Sequence, residues 1–309
     1  MPAIITRGAM SAKGFGYGAA SGGADGTKGI FALGNNTGTR NKYTYSTCSS
    51  TASGVGSSSA TSNYGSAAGN STRGIFALGF LTTRNKYTYA CCSSTASGVA
   101  ASSALSTGGS AAGNSTRGIF ALGCDVTTRN KYTYSTCSST ASGVGSSSAT
   151  SIGGSAAGNS TRGIFALGEI GCCISTTRNK YTYACCSSTA CGVAVSSVGS
   201  FNGSAAGNST RGIFALGTTP CLGSSEIRNK YTYACCSSTA CGVAASSTCS
   251  RRGSAAGNST RGIFAIGNLT TTRNKYTYST CSSTACGVAV SSAVSQLGAA
   301  ASWAVCVNV

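Results

Sequence analysis

An all-β fold, arranged as a β-propeller, is predicted by three observations: a repeat of about 45 residues, four strand-like segments in each copy, and tiny residues where inner strands would converge. The clearest mark of the repeat is the phrase Arg73-Gly74-Ile75-Phe76-Ala77-Leu78-Gly79. Its counterparts begin at Lys28, Arg117, Arg162, Arg211 and Arg261, so the glycines that follow lie 45, 44, 45, 49 and 50 residues apart. Such a period marks one supersecondary unit copied along the chain, each copy burying its apolar face on the next. Units of this kind do not fold alone, so the 309 residues read as one domain.

Within one copy the elements follow in order. Gly65-Ser66-Ala67-Ala68-Gly69 is strand a, ended by the hairpin signal Asn70-Ser71. Arg73 to Gly79 is strand b, with Phe76 and Leu78 on one face and Ile75 and Ala77 on the other. Strand c is Arg84-Asn85-Lys86-Tyr87-Thr88-Tyr89, whose two tyrosines share a face, and strand d is the weaker run around Ser97-Gly98-Val99-Ala100-Ala101. The small residues of strand a suit inner strands around a central channel. A parallel β-solenoid is the rival reading, but it usually has shorter rungs and ladders of Asn or aliphatic residues.

The blades predicted on this basis span 20–64, 65–108, 109–153, 154–202, 203–252 and 253–297. Gly298-Ala299-Ala300-Ala301 resembles the opening of a further strand a, and residues 1–19 precede the first copy, so the two termini, 1–19 and 298–309, are expected to form a composite closing blade. Dividing 309 by the period gives close to seven, which favours seven blades with six as the alternative.

Composition narrows the chemistry. Lys and Arg number 22 against 4 Asp and Glu, a net charge of +18 that favours polyanions such as nucleic acid, acidic polysaccharide or lipopolysaccharide. The first ten residues lack the apolar core of a secretory signal, and no apolar run is long enough to span a bilayer. Among the 18 cysteines one position is constant (Cys48, Cys92, Cys137, Cys186, Cys236, Cys281), while another alternates Ser53, Ser97 and Ser142 with Cys191, Cys241 and Cys286. A position that exchanges Cys for Ser holds no obligatory bridge, so these read as small buried thiols in a reducing compartment.

Strands a and b together, Gly-Ser-Ala-Ala-Gly-Asn-Ser-Thr-Arg-Gly-Ile-Phe-Ala-Leu-Gly, followed by the tyrosine-bearing strand c, resemble a kelch repeat. The likeness covers residues 20–297 and is nearest to the kelch-like repeats of bacteriophage virion and tail proteins. That resemblance implies a β-propeller in a virion assembled in a host cytoplasm, with other particle proteins as partners.

Catalysis is not expected. The chain has no His, which removes the usual general base, the Ser-His and Cys-His pairs and most transition-metal sites. The four acids, Asp25, Asp125, Glu169 and Glu226, fall in different copies, so a paired-carboxylate site would arise only by chance. Neighbouring cysteines such as Cys91-Cys92 lack the spacing of a zinc knuckle, and Asn70, Asn114, Asn159, Asn208 and Asn258 read as turn formers, so no cofactor or metal is predicted.

Binding is the positive expectation. Strand c opens with Arg-Asn-Lys in every copy, giving Arg40 and Lys42, Arg84 and Lys86, Arg129 and Lys131, Arg178 and Lys180, Arg228 and Lys230, and Arg273 and Lys275. A further cation precedes each strand b. Either these groups cap carbonyls between blades or they form a basic surface. The copies differ mainly in the b–c and d–a connections, which share one end of an up-and-down blade. There Tyr64, Phe80, Leu81, Ile152, Phe201, Arg251 and Arg252 stand at predicted loop tips, and diverse loops on a uniform scaffold are how binding surfaces are built. The expected function is therefore that of a virion or tail adsorption protein recognising an anionic or carbohydrate surface through this loop end, with anionic polysaccharide or lipopolysaccharide as candidate ligands. Docking of an acidic partner subunit is the alternative, and nucleic acid ranks behind both.

Overall fold

The computed structural model describes residues 27–123, 125–220, 223–285, 287–294 and 299–301. Five sheets repeat one antiparallel order. In the first of them strand a (Ser66–Gly69) pairs with strand b (Arg73–Ala77), b with c (Arg84–Thr88), and c with d (Ser93–Thr95). The corresponding inner strands are Ser110–Gly113, Ser155–Gly158, Ser204–Gly207 and Ser254–Gly257.

The sixth sheet closes the ring. Its strands b, c and d are Lys28–Ala32, Arg40–Thr44 and Ser49–Thr51, while its inner strand is the C-terminal segment Ala299–Ala301, with Phe31 opposite Ala300. That segment also touches the inner strands on either side, Ser66–Gly69 and Ser254–Gly257. The propeller thus has six blades and not seven. The segment at 299–301 does open a blade, but the blade belongs to the first copy, whose other three strands were already counted. Residues 1–19, assigned above to a closing blade, lie outside the described residues.

Core packing explains why a blade needs its neighbour. Ile75 and Ala77 of one blade pack on Phe120, Leu122, Tyr132 and Tyr134 of the next, and the same pattern joins Ile263 and Ala265 to Phe31, Leu33, Tyr43 and Tyr45 across the ring closure. Strand b is thus apolar on both faces because each face meets a different blade. Ile75 looks forward, and Phe76 looks back to Ile30 and Ala32.

The glycines within the blade have a steric cause. Gly69 faces Gly74 across the a–b pair, and a Cβ at Gly69 would lie 2.6 Å from the Tyr89 hydroxyl. At Gly118 a Cβ would lie 2.9 Å from the Tyr134 hydroxyl and 3.0 Å from Ala68 of the preceding blade. An aromatic ring therefore covers each glycine pair, replacing the packing that the missing side chains leave out.

Strand d differs from the expectation. It is Ser93–Thr95, not the run around Ser97 to Ala101. Cys92 sits at φ +52°, in the left-handed region, which closes the c–d turn so tightly that pairing resumes at once with Thr88 opposite Ser93. Thr95 Oγ1 then accepts the Ser97 amide at 3.0 Å, and Gly98 at φ +66° turns the chain away. The a–b turn behaves as predicted: Asn70 Oδ1 accepts the amides of Thr72 and Arg73 at 3.0 and 3.1 Å, while its Nδ2 donates to Ser115 O of the next blade at 3.0 Å.

Candidate functional site

The b–c and d–a connections meet at one end of the ring. Leu81 bridges Ser106, Val126 bridges Ser151, and Ser225 bridges Ser250, each joining a b–c loop to the d–a connection that leaves the same blade. The Phe80 amide donates to Ser106 O at 2.8 Å. The connection that enters a blade also passes close to the start of its b–c loop, which accounts for the glycine after strand b: a Cβ on Gly123, which has φ +69°, would fall 2.0 Å from Thr107 O.

Where the d–a connections turn into the inner strands they rim the channel. Tyr64, Gly108, Gly153, Asn202 and Arg252 occupy equivalent places, all at φ between 55° and 66°. A chain of backbone hydrogen bonds links them: the Gly108 amide donates to Tyr64 O at 3.2 Å, Gly153 to Gly108 O at 2.8 Å, Asn202 to Gly153 O at 2.7 Å, and Arg252 to Asn202 O at 2.8 Å. Each blade thereby holds the rim of the blade before it.

The side chains around this rim are diverse. Phe80 is 56 % exposed and meets the Tyr64 ring edge-on at 5.6 Å; Leu105 and Leu269 are exposed as well. Leu81 is half-buried. Ile152 and Phe201 are also half-buried, and they close over the rim glycines: a Cβ on Gly108 would meet Ile152 at 2.6 Å, and one on Gly153 would meet the Phe201 ring at 2.5 Å. Two b–c loops extend into short hairpins, Glu169–Ile170 with Cys173–Ile174 and Thr218–Thr219 with Gly223–Ser224. Cys172 and Cys173 are exposed at the first of these. Leu105 and Leu269 fall in the variable connections, but the sequence does not single them out, because nothing distinguishes an exposed leucine from a core one without its partners.

The strand c arginines lie in the interior. Arg40, Arg84, Arg129, Arg178, Arg228 and Arg273 are each 1 % exposed. Arg84 shows their common arrangement. Its Nη1 donates to Ala101 O at 3.1 Å and to Ser139 Oγ of the next blade at 2.6 Å, its Nη2 donates to Asn130 Oδ1 at 3.1 Å, and the guanidinium stacks 4.7 Å from the Phe120 centroid. Burial lowers its pKa to about 10, which leaves it cationic at neutral pH. This placement corresponds to carbonyl capping between blades rather than to a basic surface, because a macromolecule at the loop end does not reach these groups. Lys42, Lys86, Lys131, Lys180, Lys230 and Lys275 sit two residues further on, half-buried on the same strand face.

Among the described residues the remaining charge is divided between the two ends. At the loop end stand Asp125, Glu169 and Glu226 with Arg251 and Arg252, all in b–c or d–a connections. At the opposite end, where strands b begin, stand Lys28, Arg73, Arg117, Arg162, Arg211 and Arg261, each half-buried. Each of these arginines ties one nitrogen to the following blade: Arg73 Nη1 donates to Tyr134 O at 3.0 Å and lies 3.5 Å from Cys137 Sγ, and Arg261 Nη1 reaches Tyr45 O at 2.9 Å across the closure. The constant cysteine is thus part of an inter-blade contact. The basic end is the one whose turns do not vary, which corrects the expectation of a basic, variable face.

No known protein family and no curated protein matches the chain. The propeller rests on its own geometry, and the kelch and bacteriophage likeness has no relative behind it. Among the described residues no helix is long and apolar enough to cross a membrane.

Proposed function

We propose that the protein is a non-enzymatic binding propeller whose loop end engages a carbohydrate surface, as an adsorption component of a virion or tail. The observation that carries this reading is the contrast between nearly identical blades and the diverse connections gathered at one end, where Tyr64, Phe80 and Leu105 lie close together with apolar surface exposed. Exposed aromatic side chains suit the apolar faces of sugar rings. The acids at this end make a neutral glycan a better fit than a strongly anionic one.

Glycan-array binding by the whole chain tests the reading. Phe80→Ala and Leu105→Ala are expected to abolish the signal while leaving thermal unfolding nearly unchanged. Failure of the wild-type chain to bind any glycan would sink it.

The exposed leucines favour a second reading, in which the same end docks another subunit of a particle. In that case the chain co-purifies with the particle at a fixed copy number, and Phe80 is protected from solvent there. The virion setting itself is tested by whether purified particles contain the chain.

A further inference from the structure

The end opposite the variable loops has a composition of its own. Around it stand Lys28, Arg73, Arg117, Arg162, Arg211 and Arg261, one per blade, at the first residue of each strand b. Because the blades repeat one pairing register, these cations occupy equivalent positions about the channel and therefore share one level. Among the described residues all the carboxylates, Asp125, Glu169 and Glu226, are in b–c loops at the other end. Nothing described at this end offsets the ring of positive charge.

The end is also uniform and hydroxylic. Its a–b turns are Asn-Ser-Thr in every blade where they are described, and its c–d turns carry only Ser, Thr, Ala and Cys after the buried tyrosine. The loops of the other end vary in length, but these do not. Beside Arg211 lies a recess of about 260 Å³ lined by Asn208, Arg211, Ser259, Thr260, Tyr278 and Ser279. Among the described residues Nη1 of this guanidinium is tied, to Tyr278 O at 2.8 Å and near Cys281 Sγ, which leaves its other nitrogens facing the recess side for an anion.

We propose that this invariant end docks flat on an anionic phospholipid bilayer, its cations meeting headgroup phosphates. A level ring is matched to a charged plane, since a single linear polyanion would meet only part of it. Seating the ring is electrostatic and needs no insertion, because the turns offer no large apolar side chain. The attraction is accordingly weakened by salt. This surface is distinct from the loop end, so its fate is independent of the carbohydrate reading.

Co-sedimentation with vesicles tests the proposal. The chain is expected to bind vesicles of mixed phosphatidylcholine and phosphatidylserine and to leave phosphatidylcholine vesicles in the supernatant. Arg117→Gln, Arg162→Gln and Arg211→Gln, added in turn, should each weaken binding about fivefold, since one cation near such a surface contributes on the order of 1 kcal/mol. The lysine versions should bind like wild type, as Lys28 already occupies this place in one blade. Thermal unfolding is recorded for every variant, and Lys28→Gln removes a cation without cutting an arginine tie should the others fail to fold. Phe80→Ala should have no effect. Equal binding to neutral vesicles, equal weakening by Lys and Gln, or tighter binding to duplex DNA than to anionic vesicles at the same salt would each overturn the proposal, the last assigning the ring to nucleic acid.

Discussion

Arg129 reaches out of its own blade to donate to Asn179 Oδ1 at 3.2 Å, while its guanidinium lies 4.5 Å from the Phe165 centroid of the same neighbouring blade. One side chain thus supplies a charge-assisted hydrogen bond and a cation–π contact to a single junction. Removing it leaves Asn179 Oδ1, Gly145 O and Ser146 O each short of a donor.

Arg129→Ala should therefore destabilise the ring by on the order of 3 kcal/mol, the sum expected for lost hydrogen bonds to a charged group and a buried cation–π pair. Arg129→Lys should recover little of it, because an ammonium cannot bond to Asn179 and both carbonyls in the same fork. Urea unfolding measures both; a loss below about 1 kcal/mol for the alanine variant would show that the junction does not depend on the arginine.

Gly118→Ala places a methyl 2.9 Å from the Tyr134 hydroxyl and 3.0 Å from Ala68 Cβ. Overpacking of this kind costs about 1–3 kcal/mol. Tyr134→Phe removes the nearest of the crowding atoms, so combined with Gly118→Ala it should be less damaging than the two single effects added. A strictly additive double-mutant cycle would show that the tyrosine does not select the glycine.

Stability should decline in alkali and hold in acid. Burial raises the phenols of Tyr43, Tyr87, Tyr89, Tyr132, Tyr134, Tyr181, Tyr231, Tyr276 and Tyr278 above their ordinary value. A phenol raised in the folded state contributes stability that is complete below its unfolded pKa, about 10, and is lost as pH climbs towards the folded value. The six strand c arginines work the other way. Burial holds them to about 10, so they shed their desolvation cost above that pH. The phenols outnumber them, and the balance falls. With only 4 acids in the chain, little stability depends on carboxylates. The melting temperature is thus expected to be level from neutral pH down to about 4 and to drop above about 10, with tyrosinate absorbance appearing only as the protein unfolds. Tyrosinate formed in the folded state would contradict this.

Cys91, Cys185 and Cys235 should alkylate first. Each is exposed at a c–d turn, and a hydrogen bond with the following serine, Ser93, Ser187 or Ser237, holds its pKa below the usual thiol value. The adjacent Cys92, Cys186 and Cys236 are partly covered and should lag. Mass spectrometry after brief iodoacetamide treatment reads the order, and Ser187→Ala should slow Cys185 alone.

Much of this architecture is legible in the residues because it is periodic. The alternation in Ile75-Phe76-Ala77-Leu78 marks two buried faces, Tyr87 and Tyr89 mark one, and the shared end of the variable loops follows from strand direction alone. What could not be read depends on contacts between copies. Dividing length by period counts Ala299–Ala301 as a new blade, since no local feature says that its partner is Lys28–Ala32. The Arg-Asn-Lys segments look like solvated charge until the facing phenylalanine and asparagine are known. A cysteine at φ +52° is likewise invisible, because glycine or asparagine is the residue that usually marks such a turn. Placing the charge depended on the same knowledge: with the arginines buried, the basic end changes sides.

The inter-blade ties made by the a–b turn asparagine and by the arginines that open strands b and c run in one sense. Asn70 donates forward to Ser115, Arg73 forward to Tyr134, and Arg84 forward to Asn130; Arg261 and Arg273 make the same bonds from the last blade to Tyr45 and Asn41 of the first. In these side-chain bonds the junction from the last blade to the first matches those between neighbouring blades along the chain. The ring is bonded as six like units in a cycle would be, so peptide continuity between blades should be dispensable wherever the inner strand can still be supplied. Circular permutants opened in a d–a connection should close into the same ring, and a chain of two or three repeats has the surfaces to assemble it from three copies or two.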